Sequence, residues 1–354
     1  MLLLCFALIS QAIPFLHAIC TGSLFTSNRR LYQFSNMLIP VVDFAAYKLG
    51  KHEVSGEQLE SLSGELKAAF TEVGFVYLKN TGITQQEVDE VMNISKKFFL
   101  QPDDKKQPFL RTSFANSPNH GWLCSETESL NPKRPGDLKE AFNTASLHPG
   151  MNWPELEGLC GFREIQTSFF LRCKDLCLHV LRVMAHCLGL EAEVFLNAHR
   201  LIGTEGNGST LRSLYYPQVR SDRVKEDQLR CGEHSDYGSI TLVFQSQEGG
   251  LQVQTRSGKF ISAPSIPETV LINVADLMQR WTGDVFLSVI HRVLLPPAGD
   301  TSTRQSLAFF VQPDDEVIIT CCDGSNKYPP VQAGDYLLQR LNNSFVEGQS
   351  ISHT

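Results

Sequence analysis

The chain has 354 residues, 42% of them hydrophobic, and a formal net charge of −7. A chain of this length and composition can bury a large core and should fold unaided, either as one domain or as a catalytic domain with an N-terminal extension. The acidic balance, without a Lys/Arg cluster of the kind that neutralises phosphates, argues against a nucleic-acid partner and favours a small-molecule substrate.

Residues 1–36 form an apolar N-terminal extension. Its first twenty residues, MLLLCFALISQAIPFLHAIC, are almost uniformly apolar, which is typical of a signal peptide or a membrane anchor. The basic start of a secretory signal is missing, and the first positive pair, Arg29-Arg30, comes after the stretch. A poorly structured extension before a fold that begins near Met37 is the third alternative. Apart from such an anchor, no membrane partner is expected.

Cysteine usage favours a reducing compartment. The ten cysteines are spread thinly without paired zinc-type spacing, so no disulfide framework is expected. Cys173, Cys177 and Cys187 fall on the apolar stripe of a predicted helix and are interpreted as core. Unpaired thiols predict a cytoplasmic location, although the N-terminal extension leaves membrane-anchored and secreted locations open.

An N-terminal region, 37–150, begins with alternating strands and helices. Residues 39–42 and 74–80 (GFVYLKN) indicate strands. Ser55 with Gln58, and Thr84 with Glu87, have the spacing of capping boxes that open two helices. The stretch from 101 to about 149 is rich in Pro, Ser, Asn and Asp and is predicted to be mainly loop.

Scaffold helices are predicted over 151–205 and a β-rich core over 206–320, with a C-terminal segment over 321–354. Apolar residues at helical spacing from Ile165 to Cys187 predict one long helix that ends at Gly189. The later pattern changes to short β-rich runs, which indicate an antiparallel sandwich or barrel. These runs are SITLVFQ, GLQVQ, GKFISA, TVLINV, LSVIHRVLL, RQSLAFFVQ and EVIIT.

Three residues of the β-rich core have the chemistry of a metal site. His234 and Asp236 are two apart immediately before SITLVFQ, so in an extended chain both side chains point to one face. His291, inside LSVIHRVLL, can come from a strand that returns across a barrel. Two imidazoles and one carboxylate form the facial triad that an O₂-activating Fe(II) site requires. A lone H-x-D is more often simply solvated, so the triad needs support from neighbouring residues.

Arg304 and Ser306 give that support, because they lie two apart at the start of the next predicted strand, shortly after His291. This spacing places a guanidinium and a hydroxyl on one face. An arginine that points into a barrel needs an anion, and a carboxylate that binds it through both oxygens would serve.

The motifs H-x-D, a distant H-R-V and R-x-S resemble those of the Fe(II)/2-oxoglutarate-dependent dioxygenase superfamily, in its isopenicillin N synthase-like branch. Further motifs occur in the family's usual order: IPVVDF, GFVYLKNTGI, DLKEAF, YYP, GGLQV and INVADLMQRWT. The resemblance covers nearly everything from about residue 39 to about 319. It implies an α+β fold with a mainly β core, a double-stranded β-helix or jelly roll, with the long helix packed on its outside.

The resemblance also implies roles for individual residues. The iron ligands and catalytic residues are His234, Asp236 and His291. The contacts to 2-oxoglutarate are Arg304, Ser306 and Tyr216, where a packed aromatic is the alternative for Tyr216. The implied enzyme is a monomer that uses Fe(II), O₂ and 2-oxoglutarate, with ascorbate as a further reductant, and couples oxidative decarboxylation of 2-oxoglutarate to hydroxylation or a related oxidation of a small organic molecule.

Two other functions stay open from the sequence. One is an Fe(II) oxidase of the same fold that does not use 2-oxoglutarate. The other is a catalytically silent binding protein, against which the presence of all three triad residues argues. Two departures from the family pattern are Leu214, where an Asn is frequent, and Ala275, where a Gly is usual.

The substrate is not declared by any motif. Its pocket is expected to be lined by residues 113–134 and 323–339, because variable loops form the pocket in this fold. Trp122, Phe114 and Tyr328 are candidate apolar lining residues, with ordinary packing as the alternative.

Overall fold

The computed structural model describes residues 39–51, 54–111 and 119–344. The N-terminal extension 1–36, with its alternatives of signal peptide and anchor, lies outside the described residues, and so does Phe114. Within the described ranges, no helix combines the length and the apolar character needed to cross a membrane.

The first part of the described chain alternates strand and helix, which confirms the prediction. Its elements are β1 (Val41–Asp43), α1 (Gly56–Glu72), β2 (Phe75–Lys79) and α2 (Gln85–Phe99). The hydroxyl of Ser55 accepts a hydrogen bond from the backbone N–H of Gln58 at the start of α1. Thr84 and Glu87 form a complete capping box at the start of α2.

The stretch predicted to be mainly loop is mainly loop in its described residues, but it also contains two strands and a short helix that the sequence did not indicate. These elements are α3 (Asp103–Lys106), β3 (Gly121–Leu123) and β4 (Glu140–Thr144). Trp122 of β3 pairs with Phe142 of β4, and both side chains are buried. Burial of these two aromatic residues outweighs the surrounding Pro, Ser and Asn, whose turn propensity dominates the local sequence.

The long helix α4 (Phe162–Cys187) lies where the apolar spacing predicts it. Cys173, Cys177 and Cys187 are buried on its inner face, which confirms that they belong to the core. The eight cysteines in the described ranges are free thiols. The cytoplasmic location and the monomeric state stay predictions.

Two facing sheets form the core of the fold. The larger sheet has the order β1-β2-β10-β7-β12-β5-β4-β3, the smaller has the order β6-β11-β8-β9, and β13 pairs with β14. The remaining strands are β5 (Thr210–Tyr216), β6 (Cys231–His234), β7 (Ile240–Gln245), β8 (Leu251–Gln254), β9 (Phe260–Ser262), β10 (Thr269–Val274), β11 (His291–Val293), β12 (Arg304–Val311), β13 (Ile318–Ile319) and β14 (Val331–Gln332). The remaining helices are α5 (Glu193–Leu196), α6 (Asp276–Trp281) and α7 (Ala333–Asn342).

Apolar residues from both sheets fill the space between them. Leu271 and Ala308 come from the larger sheet, and Val253 and Val293 come from the smaller sheet, in one buried cluster. This sandwich is the predicted jelly roll with a mainly β core. The predicted run LSVIHRVLL contains a regular strand only at His291–Val293.

Helices cover the outer face of the larger sheet and bury a second, larger cluster against it. α4 provides the closest aromatic contacts: Phe169 packs against Phe244 of β7 with ring centroids 5.2 Å apart, and Phe170 packs against Phe309 of β12 at 4.9 Å. Edge-to-face pairs of this kind add to the free energy gained by burying apolar surface. The predicted scaffold helix therefore supports β12, the strand that begins with Arg304.

We expect Phe170→Ala to lower the free energy of unfolding by about 3–5 kcal/mol, because Phe170 is fully buried and the substitution leaves a cavity against β12. Leu171→Ala is the matched control, since the neighbouring side chain on α4 is 43% exposed and its truncation should cost less than about 1 kcal/mol. Urea unfolding of both variants measures the difference. Equal losses would contradict the role given to Phe170.

Candidate active site

Two histidines meet because β6 and β11 lie side by side. The strands pair antiparallel with His234 opposite His291, and the ring centroids are 4.2 Å apart. Asp236 lies in the turn after β6, and its Oδ1 is 3.8 Å from Nε2 of His234 and 3.7 Å from Nε2 of His291. The ligand atoms of the three residues all lie within 4.8 Å of one another. The predicted triad is therefore assembled, but His234 ends a strand of its own instead of preceding β7 directly.

Backbone carbonyl groups orient both imidazole rings. Nδ1 of His234 is 2.8 Å from the carbonyl oxygen of Gly232, and Nδ1 of His291 is 3.1 Å from that of Val289. A carbonyl oxygen only accepts hydrogen bonds, so we assign the proton of each ring to Nδ1 and the free lone pair to Nε2. Both lone pairs are then available to one cation beside Asp236.

Asp236 is ionised in this environment. Burial opposes its charge, but the two imidazoles and a hydrogen bond of 2.7 Å from the Asn273 amide outweigh burial, so the pKa of Asp236 lies below its ordinary value. Burial, together with His234, lowers the pKa of His291 to about 4, against the opposing effect of Asp236. At neutral pH the site therefore presents a carboxylate and a neutral imidazole, the forms that bind metal ions.

The donor set fits Fe(II). Metal bonds to imidazole nitrogen and carboxylate oxygen are about 2.0–2.2 Å long, so two ligand atoms on one ion lie up to about 4 Å apart. The separations of 3.7 and 3.8 Å agree with this limit. Two histidines and one carboxylate on one side of an ion leave its other positions open for small molecules.

Arg304 is a buried cation beside the triad. It lies opposite Tyr216 in the β12–β5 pair, with its guanidinium 4.7 Å from the Tyr216 ring centroid. The guanidinium donates hydrogen bonds to the carbonyl oxygen of Gly249 (2.7 Å), to Oε1 of Gln245 (2.9 Å) and to Oγ of Ser306 (3.2 Å). All three acceptors are neutral, so within the described ranges this cation has no carboxylate partner. An anionic ligand would complete its environment.

One cavity of about 570 Å³ connects the two groups of predicted residues. Its wall includes His234, Asp236, His291, Tyr216, Arg304 and Ser306. Leu214, the first departure from the family pattern, lines this cavity with an apolar side chain. Ala275, the second departure, has φ −115°, so its backbone does not need the freedom of glycine.

A second cavity of about 530 Å³ also reaches His234 and Asp236. Its polar wall residues are Asn119, Glu128, Thr210, Arg212, Gln312 and Ser344, and its apolar ones include Leu130, Tyr237, Phe310, Leu337 and Leu341. Of the two segments expected to line a substrate pocket, residues 113–134 contribute Asn119, Glu128 and Leu130 and residues 323–339 contribute Leu337. Trp122 instead donates to Glu140, and Tyr328 donates to Asp284.

An ion pair fixes the charged side of the second cavity. Both terminal nitrogens of Arg212 donate to the carboxylate of Glu128 at 3.1 Å, and its Nε donates to Oδ1 of Asn143 at 2.8 Å. Burial opposes the charge of Glu128, but Arg212, Lys139 and Arg111 outweigh burial and lower the pKa of Glu128 to about 2. At this point of the cavity wall the charge of Arg212 is therefore already paired with a carboxylate, which Arg111 and Lys139 also approach.

The C-terminal helix α7 closes the second cavity and is attached beside the triad. Leu337 and Leu341 of α7 line the cavity. Arg340 donates to the carboxylate of Asp276, and the backbone N–H of Asp276 donates to the carbonyl oxygen of Asp236 at 2.9 Å. The helix thus shares an attachment point with the turn that carries a candidate metal ligand.

Comparison with known proteins identifies the family. Residues 207–313 match the family model of the 2OG-Fe(II) oxygenase superfamily. Residues 39–160 match a second family model, described as "non-haem dioxygenase in morphine synthesis N-terminal". The proline hydroxylase buaE of Petromyces alliaceus is 33% identical over 282 residues, which are 76% of this chain and 86% of the relative. The chain belongs to the 2OG-Fe(II) oxygenase superfamily.

Other relatives of this oxygenase agree. The 2-oxoglutarate-dependent dioxygenase htyE of Aspergillus rugulosus is 29% identical over 329 residues, 85% of this chain and 95% of the relative. A full-length Neurospora crassa protein, crystallised in complex with alpha-KG, which is 2-oxoglutarate, superimposes with a TM-score of 0.75 at 33% identity and covers 86% of this chain and 95% of that chain. The complex of the same protein with alpha-KG and thymine gives a TM-score of 0.74, also at 33% identity, over 86% of this chain and 96% of that chain.

The oxygenase is therefore an Fe(II)- and 2-oxoglutarate-dependent dioxygenase that acts on a small molecule. It couples oxidative decarboxylation of 2-oxoglutarate to hydroxylation or a related oxidation. The relatives support this function over an oxidase without 2-oxoglutarate and over a silent binding protein.

Several residues that shape the site were not predicted individually. Asn273, which donates to Asp236, lies inside the motif INVADLMQRWT without having been assigned a role. Arg212 belongs to β5 and lies two residues before Leu214 and four before Tyr216, so the three side chains point to the same face. Extending the period-two pattern back from the YYP motif would therefore have found Arg212. No local sequence pattern around Glu128 or Gln312 indicated that these residues line the site.

We expect Asn273→Ala to weaken Fe(II) binding by about 10- to 100-fold, because the hydrogen bond that holds Asp236 is lost while all three ligands remain. Calorimetric titration of Fe(II) under anaerobic conditions measures the affinity. Asn197→Ala, at an exposed position beside α5, is the control and should bind as the unaltered protein does. An unchanged affinity in Asn273→Ala would show that Asp236 does not need this donor.

Proposed function

We propose that the Fe(II) ligands of this dioxygenase are His234, Asp236 and His291. The proposed contacts to 2-oxoglutarate are Arg304, Ser306 and Tyr216. The observation that carries the proposal is the shared cavity: a neutral His291 and an ionised Asp236 at one end, and a buried arginine with only neutral partners at the other.

In this arrangement each residue has a defined task. The bound iron supplies O₂ activation and the oxidative decarboxylation of 2-oxoglutarate. Arg304 binds the far carboxylate through its planar guanidinium, Ser306 adds a hydroxyl, and the Tyr216 ring packs against the guanidinium. The keto-acid end of 2-oxoglutarate then points towards the triad. Apolar wall residues such as Leu214 and Val293 limit the access of water to this end.

The second cavity is proposed as the substrate site, and its chemistry favours a small, uncharged ring that both donates and accepts hydrogen bonds. Among the described wall residues, Arg212 and Glu128 are paired with each other and Asp236 is assigned to the metal, so no charged side chain is left for a charged substrate. Oε1 of Gln312, a wall residue, is buried and accepts no hydrogen bond from the rest of the described chain, and the proposal requires this side-chain amide to rotate so that Oε1 accepts from a ring N–H. Phe310 and Tyr237 provide aromatic surface for a planar ring.

The names of two relatives point to two different substrates, which can be compared with the wall of the second cavity. The Neurospora crassa structure contains thymine, a neutral ring that carries N–H and C=O groups. The similar protein buaE is named a proline hydroxylase, and proline carries two opposite charges. The neutralised wall supports a thymine-like ring over an amino acid.

The metal and co-substrate roles are tested by adding Fe(II) and then 2-oxoglutarate without oxygen and recording the visible charge-transfer band of the chelate. We expect the band in the unaltered protein, its loss in His234→Ala, and 2-oxoglutarate binding about 100-fold weaker in Arg304→Ala, because a buried charged contact is removed. His148→Ala and Arg223→Ala, at exposed positions, are matched controls and should keep the band. A band that survives in His234→Ala would refute the ligand assignment.

The substrate proposal is tested by succinate release with thymine or L-proline as substrate. We expect thymine to stimulate release more than L-proline, and Gln312→Met to lower kcat/KM for thymine by about tenfold through the lost hydrogen bond. The KM for 2-oxoglutarate should not change. The control is Gln332→Met, at an exposed position. Greater stimulation by L-proline would contradict the neutral-ring proposal.

A further inference from the structure

A basic recess, defined here by Lys51, Lys174, Arg182 and Arg200, lies outside the active site. It is an open recess with about 860 Å³ of empty space, which includes open solvent, and it shares no wall residue with the two cavities described above. Its wall comes from three segments: the residues that follow β1, the middle of α4, and the turn after α5. Nothing in the proposed reaction uses it.

The charge of this basic recess is one-sided. Four cationic side chains line it, and among the described residues of its wall there is no aspartate or glutamate. On the neighbouring helices, Asp175 and Glu193 are exposed and lie outside the wall. The whole chain carries a net charge of −7, so the positive charge of this recess is opposite in sign to the charge of the whole protein. A concave surface of one sign raises the local concentration of small ions of the opposite sign.

The cations of the recess are available to a ligand. Arg182 and Arg200 are exposed, and Lys51 and Lys174 are partly buried. Nζ of Lys174 donates to the carbonyl oxygen of Ile202 at 2.8 Å, which leaves two of its protons for other acceptors. Within the described ranges, none of the four side chains takes part in an ion pair.

The frame of the recess is rigid. Lys174 and Arg182 are eight residues apart on α4 and therefore lie on one face of a helix whose other face is buried in the core. His199, at the base, has both ring nitrogens in hydrogen bonds, to the carbonyl oxygen of Phe195 at 2.6 Å and to Oγ of Ser239 at 2.8 Å. The backbone of α4 that carries Lys174 and Arg182 is therefore fixed by core packing, and a ligand would have to order only the exposed side chains.

We infer that the basic recess binds a small phosphate-bearing molecule with two or more negative charges. The planar guanidinium of an arginine can donate two parallel hydrogen bonds to two oxygens of one phosphate group. Lysine adds a compact charge that attracts phosphate from any direction. The two arginines and two lysines carry four positive charges, more than the single negative charge of one carboxylate can compensate. The volume also exceeds that of one phosphate, so there is room for a second phosphate or an organic group.

The test is calorimetric titration of pyrophosphate into the full-length protein, without iron and with saturating 2-oxoglutarate, so that chelation of iron and occupation of the Arg304 site are avoided. We expect one binding event whose affinity falls as salt is added. Arg182→Glu should weaken binding by about tenfold or more, because it reverses one of four charges in the recess. Arg163→Glu, at an exposed position on the same helix, makes the same charge change and should stay within about twofold.

A second variant, Arg200→Ala, tests the wall segment that follows α5 and should also weaken pyrophosphate binding. Arg304→Ala should leave it unchanged, since Arg304 belongs to the co-substrate cavity. The inference is overturned by the absence of binding, by equal weakening in Arg182→Glu and Arg163→Glu, or by loss of binding in Arg304→Ala. None of these results would affect the assignment of the metal or 2-oxoglutarate residues.

Discussion

The pairing of β6 with β11 is the constraint on which the proposed metal centre depends, because it sets His234 directly opposite His291. Both strands belong to the smaller sheet, whereas Asp236 is held by Asn273 of β10 in the larger sheet. The three side chains therefore meet where the two sheets face each other. The site can exist only while the sandwich is closed, and α4 contributes by supporting the larger sheet from its outer face.

Two arginines near the triad, Arg304 and Arg212, have opposite charge environments, and Arg212 lines both cavities. Arg304 is surrounded by neutral acceptors and a tyrosine ring, so its charge is left for a ligand. Arg212 is held through both terminal nitrogens by Glu128, so its charge is already compensated. This difference supports the proposal that an anionic co-substrate and a neutral substrate bind on different sides of the proposed metal centre. Discrimination of this kind depends on the cost of burying a charge without a partner.

The sequence was most informative where chemistry and spacing coincide. The spacing of His234 and Asp236, with Arg304 and Ser306 further on, predicted the residues that line one cavity, and helical periodicity predicted α4. β3 and β4 were missed because their burial depends on aromatic contacts across the sheet and not on local propensity. The substrate side could not be predicted, since Arg212 meets Glu128 across 84 positions of the chain. Pairings at such distances along the chain become visible only in the folded molecule.

The position of α7 has a consequence for how such an enzyme can diversify. Leu337 and Leu341 line the proposed substrate cavity but not the proposed co-substrate cavity, and α7 lies outside both sheets. Substitutions at these two positions can therefore reshape the proposed substrate cavity, whereas Arg340 on the same helix has to be kept because its contact with Asp276 supports the turn that carries Asp236. The wall of the proposed substrate cavity can change while the wall of the proposed co-substrate cavity is preserved. Changes at Leu337 and Leu341 can therefore alter which substrate fits while the oxidative chemistry at the triad is kept.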